Sequence, residues 1–247
     1  FYLGFSIYRD MLHISLSADK IIQITPDFYL TNTVLATWIT IAVVILITGL
    51  AAIFLRQNRN NYLVVGCKLI IRFFYLLING ILEHEELTWQ VLPLITTLFI
   101  FITTANWLPL IPGFVGSFVI KTKDGVIPIF RSINADLNTT ISMAITSIIL
   151  VKISSVGFPE AKSYLKVGVN KIFRLIILFF EELSEITRVI SLSFRLTGNI
   201  FAGEVLMIVL AFLIPYFLPI PFMFLEFFIG AFQALVFSIL VLIFVKW

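Results

Sequence analysis

Charged residues and cysteine are both scarce in this chain of 247 residues. Only 13% of its residues are charged and 60% belong to the hydrophobic set, whereas an ordinary soluble domain has about 25% charged and about 45–50% apolar residues. A single core cannot bury that much apolar surface, so the excess must face lipid. The composition therefore excludes a soluble enzyme, a disordered protein and a nucleic-acid binder. The one cysteine, Cys67, excludes an internal disulfide, a zinc cluster and a haem-attachment pair.

The beginning of the chain lacks the charged segment, short apolar stretch and cleavage site of a signal peptide. It starts at Phe1 and not at a methionine, so we expect the natural N-terminus to lie upstream. The net charge is +3, and a mild basic excess of this kind is typical of the cytoplasmic loops of membrane proteins.

Long apolar segments dominate the rest of the chain. A helix that crosses a bilayer needs about 20 mostly apolar residues. The sequence predicts spans at about residues 33–55, 87–110 and 135–158, a long helical pattern with charged residues at 172–213, and a last apolar helix at 222–246. Residues 62–83 carry Lys68 and Arg72 one turn apart, which indicates an amphipathic helix lying at the membrane surface. The alternative is that 62–83 form the edge of a span whose basic side chains reach the headgroups.

We therefore predict an all-α polytopic integral membrane protein with about five membrane-embedded helices and one surface helix. No internal repeat is visible, so residues 1–247 are interpreted as one integral membrane domain. Within it, residues 1–32 form an N-terminal outer segment that ends in a turn at Pro26 and Asp27, and residues 33–158 contain the first three spans.

The distribution of basic residues predicts the orientation in the membrane. Such residues cluster after the first and after the third predicted span: Arg56, Arg59, Lys68 and Arg72, then Lys162, Lys166, Lys171 and Arg174. Both clusters fall on the same side if the three spans alternate, and basic loops mark the cytoplasmic side. The N-terminus is then outside and, after two more crossings, the C-terminus is inside.

Charged side chains within the long helical pattern are expensive in a membrane and usually mark an ion path, a proton relay or an ion pair. Intervals of three and four residues separate Glu181, Glu185, Arg188, Leu192, Arg195 and Asn199, which predicts one stripe along one helix face. Glu204 follows Arg195 by nine residues and is predicted on the opposite face of a regular helix.

The last helix carries Glu226 and Gln233 seven residues apart, hence on one face, beside small residues that allow another helix to approach closely. One interpretation of these charges is a set of buried ion pairs that only hold two helices together. Arg195 argues against it, because no carboxylate lies three or four residues away. A guanidinium stays protonated in proteins, so Arg195 indicates a fixed positive charge whose partner belongs to another chain.

Four segments resemble the subunit a family of F-type ATP synthases. Residues 191–204 read SLSFRLTGNIFAGE and resemble the family's long arginine motif. Residues 135–140 (ADLNTT) are similar to its second motif, residues 106–112 (NWLPLIP) to the end of its second span, and residues 233–235 (QAL) to its glutamine motif. Thr197 stands where many relatives carry an aromatic residue, and Glu226 stands where relatives carry Glu or His.

The resemblance implies a non-catalytic stator subunit of a rotary ATP synthase. In that family two aqueous half-channels meet a ring of c-subunit carboxylates, and the arginine matching Arg195 separates the channels. It implies that residues 172–247 form a steeply tilted helical pair against the rotor. Glu204, Glu226, Gln233 and Asn199 then line the outer access path, Glu181 and Glu185 the inner one, and Ser191, Gly198, Asp136 and Asn138 support them.

The same resemblance implies the partners and the location. The partners are the c-ring proteolipids, the peripheral-stalk b subunits, the remainder of the complex and the lipid bilayer. The translocated ion is H⁺, with Na⁺ as the alternative, and no metal or other cofactor is expected. The expected location is a bacterial plasma (inner) membrane, with an energy-transducing organelle membrane as the alternative.

Two rival interpretations start from the same residues. An unrelated multi-pass ion transporter with a buried ion-pair site would be expected to show two related halves, and the sequence shows none. An intramembrane enzyme would need a paired-His metal motif, a Gly-x-Ser-x-Gly motif or an Asp dyad, and none is present. His13 and His84 are isolated and are interpreted as interfacial residues.

Overall fold

Six helices make up most of the structure, a computed structural model that describes residues 20–25, 28–57, 62–111, 119–122, 125–128, 131–155, 171–214 and 217–246. The helices are α1 (Asn32–Arg56), α2 (Tyr62–Leu82), α3 (Glu85–Trp107), α4 (Leu137–Ser155), α5 (Lys171–Leu213) and α6 (Pro219–Lys246). Short 3₁₀ turns at Leu108–Leu110 and Ile133–Ala135 follow α3 and precede α4.

All six helices are long and apolar enough to cross a membrane. Their outer surfaces carry large apolar side chains, such as Ile45 and Leu46 of α1, which are 64% and 62% exposed. In water such a surface would be an aggregation hazard, whereas in lipid it needs no cover. The prediction of an all-α polytopic membrane protein is confirmed.

Two small antiparallel hairpins accompany the helices, and the sequence analysis predicted neither. Strand β1 (Lys20–Thr25) pairs with β2 (Phe28–Thr31), and β3 (Val119–Thr122) pairs with β4 (Gly125–Pro128). Strands of four to six residues are too short to give a distinct periodic signal beside much longer apolar runs. The predicted entry turn at Pro26 and Asp27 lies outside the described residues.

Helix α2 is the predicted surface helix. Its Phe74, Ile78 and Leu82 are buried in the same core as α3, and the ring centroids of Phe74 and Phe99 are 4.9 Å apart. Lys68 and Arg72 are exposed. Because the length and composition of α2 would also allow it to cross the membrane, its placement at the surface stays a prediction.

The core lies where α3, α4, α5 and α6 meet. Helix α6 packs against each of the other three, and its Phe237, Val241 and Leu242 are almost completely buried. At one end, Trp107 of α3 stacks on Phe227 of α6 with ring centroids 4.1 Å apart. The Trp107 Nε1–H also donates to the Phe227 carbonyl oxygen at 3.0 Å, so the end of α3 is fixed against α6.

Helix α5 is continuous over 43 residues. At 1.5 Å per residue it is about 64 Å long, roughly twice the ~30 Å thickness of a bilayer's hydrocarbon core. A helix of this length must tilt strongly or extend beyond the hydrocarbon layer. The steep tilt expected of α5 and α6 is compatible with this length and stays a prediction.

The orientation can be tested with reporters fused after Arg59, after His84 and after Thr122. If α2 lies on the surface, we expect the reporters after Arg59 and His84 in the cytoplasm and the one after Thr122 outside. If α2 crosses the membrane, His84 lies outside and Thr122 lies on the same side as Arg59. Reporter activity in whole cells distinguishes the two patterns, and a reporter after Arg59 that is active only outside would contradict the orientation altogether.

Candidate functional site

The two faces of α5 have different environments around Arg195. One face is buried against α4 and α6 and carries Leu192, Ser193, Leu196, Thr197 and Ile200. The other face is exposed and carries Arg188, Ser191, Arg195, Gly198 and Asn199. The predicted stripe therefore loses one member on the exposed face, because Leu192 is buried in the core.

Arg195 is exposed, and it makes no hydrogen bond or ion pair with any side chain that the structure describes. One turn further, a Cβ added to Gly198 would meet no described atom. The exposed face thus presents a cation and open space beside it. Among the described residues, a buried ion pair does not account for Arg195.

Glu204 faces the interior, on the opposite side of α5 from Arg195, as predicted. Its Oε1 accepts a hydrogen bond from the backbone N–H of Ser132 at 3.1 Å, and its Oε2 lies 3.5 Å from Nε of Arg131. Arg131 and Ser132 are buried. The sequence analysis did not select Arg131, because nothing local indicates a contact between residues as far apart as Ser132 and Glu204, which 72 residues separate.

The carboxylate of Glu226 on α6 lies against Gly203, the residue before Glu204 on α5. A Cβ at Gly203 would overlap the Glu226 carboxylate, so the glycine leaves the room that this side chain occupies. Glu226 and Glu204 are also close enough to interact electrostatically. The structure therefore brings the two predicted carboxylates of the outer path together.

A chain of buried amides beside these carboxylates connects the segment before α4 to α3 and α6. Asn134 Nδ2 donates to Asn106 Oδ1 at 2.6 Å, and Asn106 Nδ2 donates to the carbonyl oxygen of Gly230 at 2.9 Å. Gly230 lies one turn after Glu226 on α6, and its Cα packs closely on Asn106. The amide chain fixes the segment that carries Arg131 relative to α6.

Asp136 and Asn138, predicted as supporting residues, form the start of α4. The Asp136 Oδ1 accepts a hydrogen bond from the Asn138 backbone N–H at 3.0 Å, the arrangement of a helix N-cap. Its Oδ2 accepts from Thr33 Oγ1 of α1 at 3.5 Å. These two residues hold the helices in place and do not contact Glu204 or Arg195 among the contacts of the described residues.

Hydroxyl groups join α4 to the buried face of α5. The hydroxyl oxygens of Thr140 and Thr197 are 2.6 Å apart, and Ser193 Oγ donates to the Thr140 carbonyl oxygen at 3.3 Å. Thr197 is thus matched by a threonine on α4.

Glu185, predicted for the inner path, forms an ion pair with Lys152 of α4. It precedes Arg195 by ten residues, and Glu204 follows Arg195 by nine. The rise of a helix places these carboxylates about 15 Å and about 14 Å from Arg195 along the axis, on either side of it. The side chain of Glu181 lies outside the described part of the chain.

The remaining predicted site residues are distributed between the two faces. Gln233 of α6 is half-buried, whereas Asn199, Ser191 and Gly198 share the exposed face of Arg195. Asn199 therefore lies beside Arg195 and away from the Glu204 pair. Among the described residues no group of histidine, cysteine and acidic side chains could hold a metal ion.

Comparison with known proteins decides the family. Residues 34–246 match the sequence pattern of the family described as ATP synthase A chain. The chain belongs to that family. It is 32% identical over 220 residues to "ATP synthase subunit a" of Moorella thermoacetica, covering 87% of this chain and 88% of the relative.

Two further relatives agree with this assignment. The chain is 32% identical to "ATP synthase subunit a 2" of a Picosynechococcus species, over 90% of this chain and 91% of the relative. It is 33% identical to "ATP synthase subunit a" of Syntrophobacter fumaroxidans, over 87% and 82%. The ATP synthase A chain family, together with six helices that are long and apolar enough to cross a membrane, makes this chain a multi-pass, proton-translocating subunit of the membrane sector. The rival interpretation as an unrelated transporter is thereby wrong.

Proposed function

We propose that this chain is the stator subunit that provides two half-channels to the carboxylates of a c-ring, with Arg195 separating them. The observation that carries the proposal is the position of Arg195. It is an exposed cation without a described partner, about halfway between Glu185 and Glu204 along one continuous helix. A rotor carboxylate that passes this face would be the missing partner.

Electrostatics gives Arg195 its role. A rotor carboxylate that faces lipid must be neutral, because a bare charge there is too costly. Beside a guanidinium the charged form is favoured, since a nearby cation lowers the pKa of a carboxyl group. Each rotor site therefore releases its proton near Arg195 and must bind another before it re-enters lipid.

The fixed charge of Arg195 also prevents a leak. A guanidinium stays protonated, so it cannot pass a proton between the channels on its two sides. One elementary charge that crosses a potential of 100 mV yields about 2.3 kcal/mol, and several such transfers per turn drive rotation and ATP synthesis.

We place one access path on each side of Arg195. Glu204 and Glu226, with Gln233, line the outer path, and Asn199 lies where that path would reach the rotor face. Glu181 and Glu185 line the inner path. Lys152, which the sequence analysis did not select, holds Glu185 against α4.

The proposed partners are the c-ring proteolipids, the peripheral-stalk b subunits and the rest of the ATP synthase. The proposed ion is H⁺, with Na⁺ as the alternative set by the ring. The proposed location is the bacterial inner membrane, supported by relatives that are named as bacterial subunits.

Cross-linking tests the proposed rotor contact. In a Cys67→Ser background, we expect Ser191→Cys and Asn199→Cys to cross-link to a small two-helix proteolipid in native membranes. Ile45→Cys is the matched control, because it is equally exposed but lies on α1. Cross-links from Ile45→Cys alone, or from none of the three, would contradict a rotor-facing α5.

A further inference from the structure

We propose that Arg131, Glu204 and Glu226 together form a one-proton site, in which Arg131 is the fixed counter-charge of the outer path. The inference rests on the proposed function, which places Glu204 and Glu226 in that path. It adds a positioning residue from outside the two rotor-facing helices, and it assigns a defined number of protons to the site.

Arg131 and Glu204 meet in a buried place. The Arg131 side chain is 10% exposed and that of Glu204 is 20% exposed, and Arg131 Nε lies 3.5 Å from Glu204 Oε2. The other oxygen of Glu204 accepts the backbone N–H of Ser132. Both oxygens are therefore held by consecutive residues of one segment, which fixes the carboxylate more firmly than a single contact would.

Glu226 supplies the second carboxylate of the site. It lies against Gly203, adjacent to Glu204, and Gly203 has no side chain to separate the two groups. The amide chain from Asn134 through Asn106 to Gly230 ties the Arg131 segment to α6 one turn beyond Glu226. The segment that carries Arg131 is therefore fixed relative to the part of α6 that carries Glu226.

Other charged side chains among the described residues lie on a different helix face or contact other groups. Arg195 is on the opposite face of α5, Lys152 of α4 pairs with Glu185, and Asp136 accepts hydrogen bonds from Asn138 and Thr33. The only acidic residues of α3, Glu85 and Glu86, lie in its first turn. Among the described residues, Arg131 is thus the cation that contacts Glu204, and Glu226 joins the site through its proximity to Glu204.

The charge of the site depends on how many protons it holds. Two carboxylates and one guanidinium carry a net charge of −1 without a proton, 0 with one proton and +1 with two. A buried site resists any net charge, so the neutral form with one shared proton is favoured. Arrival and departure of a single proton then switch the site between 0 and −1, and the guanidinium excludes a second.

The number of protons that the site holds can be tested with variants that change its fixed charge. Proton flux is measured in membrane vesicles and normalised to the amount of assembled complex. Arg131→Gln leaves two carboxyls without a cation, so its neutral form holds two protons, and Glu204→Gln leaves one cation and one carboxylate, which are neutral together without a proton. We expect each to lower flux per complex about tenfold or more, because the first lacks the cation that stabilises the form that has released a proton and the second would carry an uncompensated buried charge when it binds one. Arg131→Lys keeps the charge and retains most of the flux.

The double variant, Arg131→Gln with Glu204→Gln, gives the comparison that decides whether the proton count is correct. It leaves Glu226 alone, which alternates between 0 and −1, whereas Glu204→Gln alternates between 0 and +1, so we expect the flux per complex of the double variant to exceed that of Glu204→Gln several-fold. Adding Glu226→Gln should remove this recovery. Arg72→Gln, which removes an exposed arginine of α2, is the matched control and should behave as the unmodified protein.

The outcomes separate the two proposals. If Glu204→Gln and Glu226→Gln leave flux per complex normal, the outer path itself is wrong. If both lower the flux but the double variant recovers nothing, the path stands and the one-proton site is wrong. If Arg131→Gln lowers the amount of complex but leaves flux per complex normal, Arg131 only holds the fold together and the one-proton site is wrong.

Discussion

Replacing Arg195 by alanine is expected to abolish coupled ATP synthesis while the complex still assembles. The side chain is exposed and makes no hydrogen bond or ion pair with another described residue of this chain, so its removal breaks no such contact among the described residues. It does take away the only proposed barrier between the half-channels. Vesicles with Arg195→Ala should therefore leak protons and make no ATP when a proton gradient is imposed.

The lysine variant separates charge from geometry. Arg195→Lys keeps a positive charge but presents a compact ammonium that can deprotonate and lacks the planar guanidinium fork. We expect it to fail largely as well. Arg56→Ala, which removes an exposed arginine at the end of α1, is the control for loss of a cation. Near-normal ATP synthesis by Arg195→Ala vesicles would show that the assignment of Arg195 is wrong.

Replacing Glu204 or Glu226 by glutamine is expected to slow proton flux without causing a leak, and less severely than Arg195→Ala. Glutamine keeps the shape and hydrogen-bonding capacity of the side chain but cannot exchange a proton. Both carboxylates sit on the proposed outer path, whereas the barrier at Arg195 stays intact. Flux driven by an imposed membrane potential, measured with a pH-sensitive dye, reports the change.

The amount of assembled complex must be measured in the same membranes. If Glu204 served only as an ion-pair partner of Arg131, its loss would lower the amount of complex in step with total flux, while flux per complex stayed normal. That result would end the relay interpretation. Glu86→Gln is the control, because this carboxylate is exposed in the first turn of α3, remote from the proposed path.

The helices and the two faces of α5 could be predicted from the sequence because they depend on local periodicity. Long apolar runs gave the spans, and a nine-residue interval placed Glu204 opposite Arg195 in a regular helix. The unbroken α5 of the structure provides that regularity. The resemblance of residues 191–204 to a known motif supplied the functional interpretation that periodicity alone does not contain.

The contacts between distant segments could not be predicted in the same way. Nothing in the local sequence of Arg131 or Lys152 indicates that each meets a glutamate of α5, because those pairings depend on how α4 and its preceding segment dock. A periodic pattern specifies which face a residue occupies. It does not specify which residue of another helix will face it.

Because α5 is one uninterrupted helix, the number of residues between Arg195 and Glu204 determines how the two side chains are oriented relative to each other. A single inserted residue between Arg195 and Glu204 would rotate Glu204 by about 100° around the axis and shift it by about 1.5 Å. The Glu204 carboxylate would then lie away from Arg131, while Arg195 would still lie on the exposed face. A substitution within this segment leaves its length unchanged. An insertion or deletion of any single residue, in contrast, changes the orientation of Glu204 relative to Arg195.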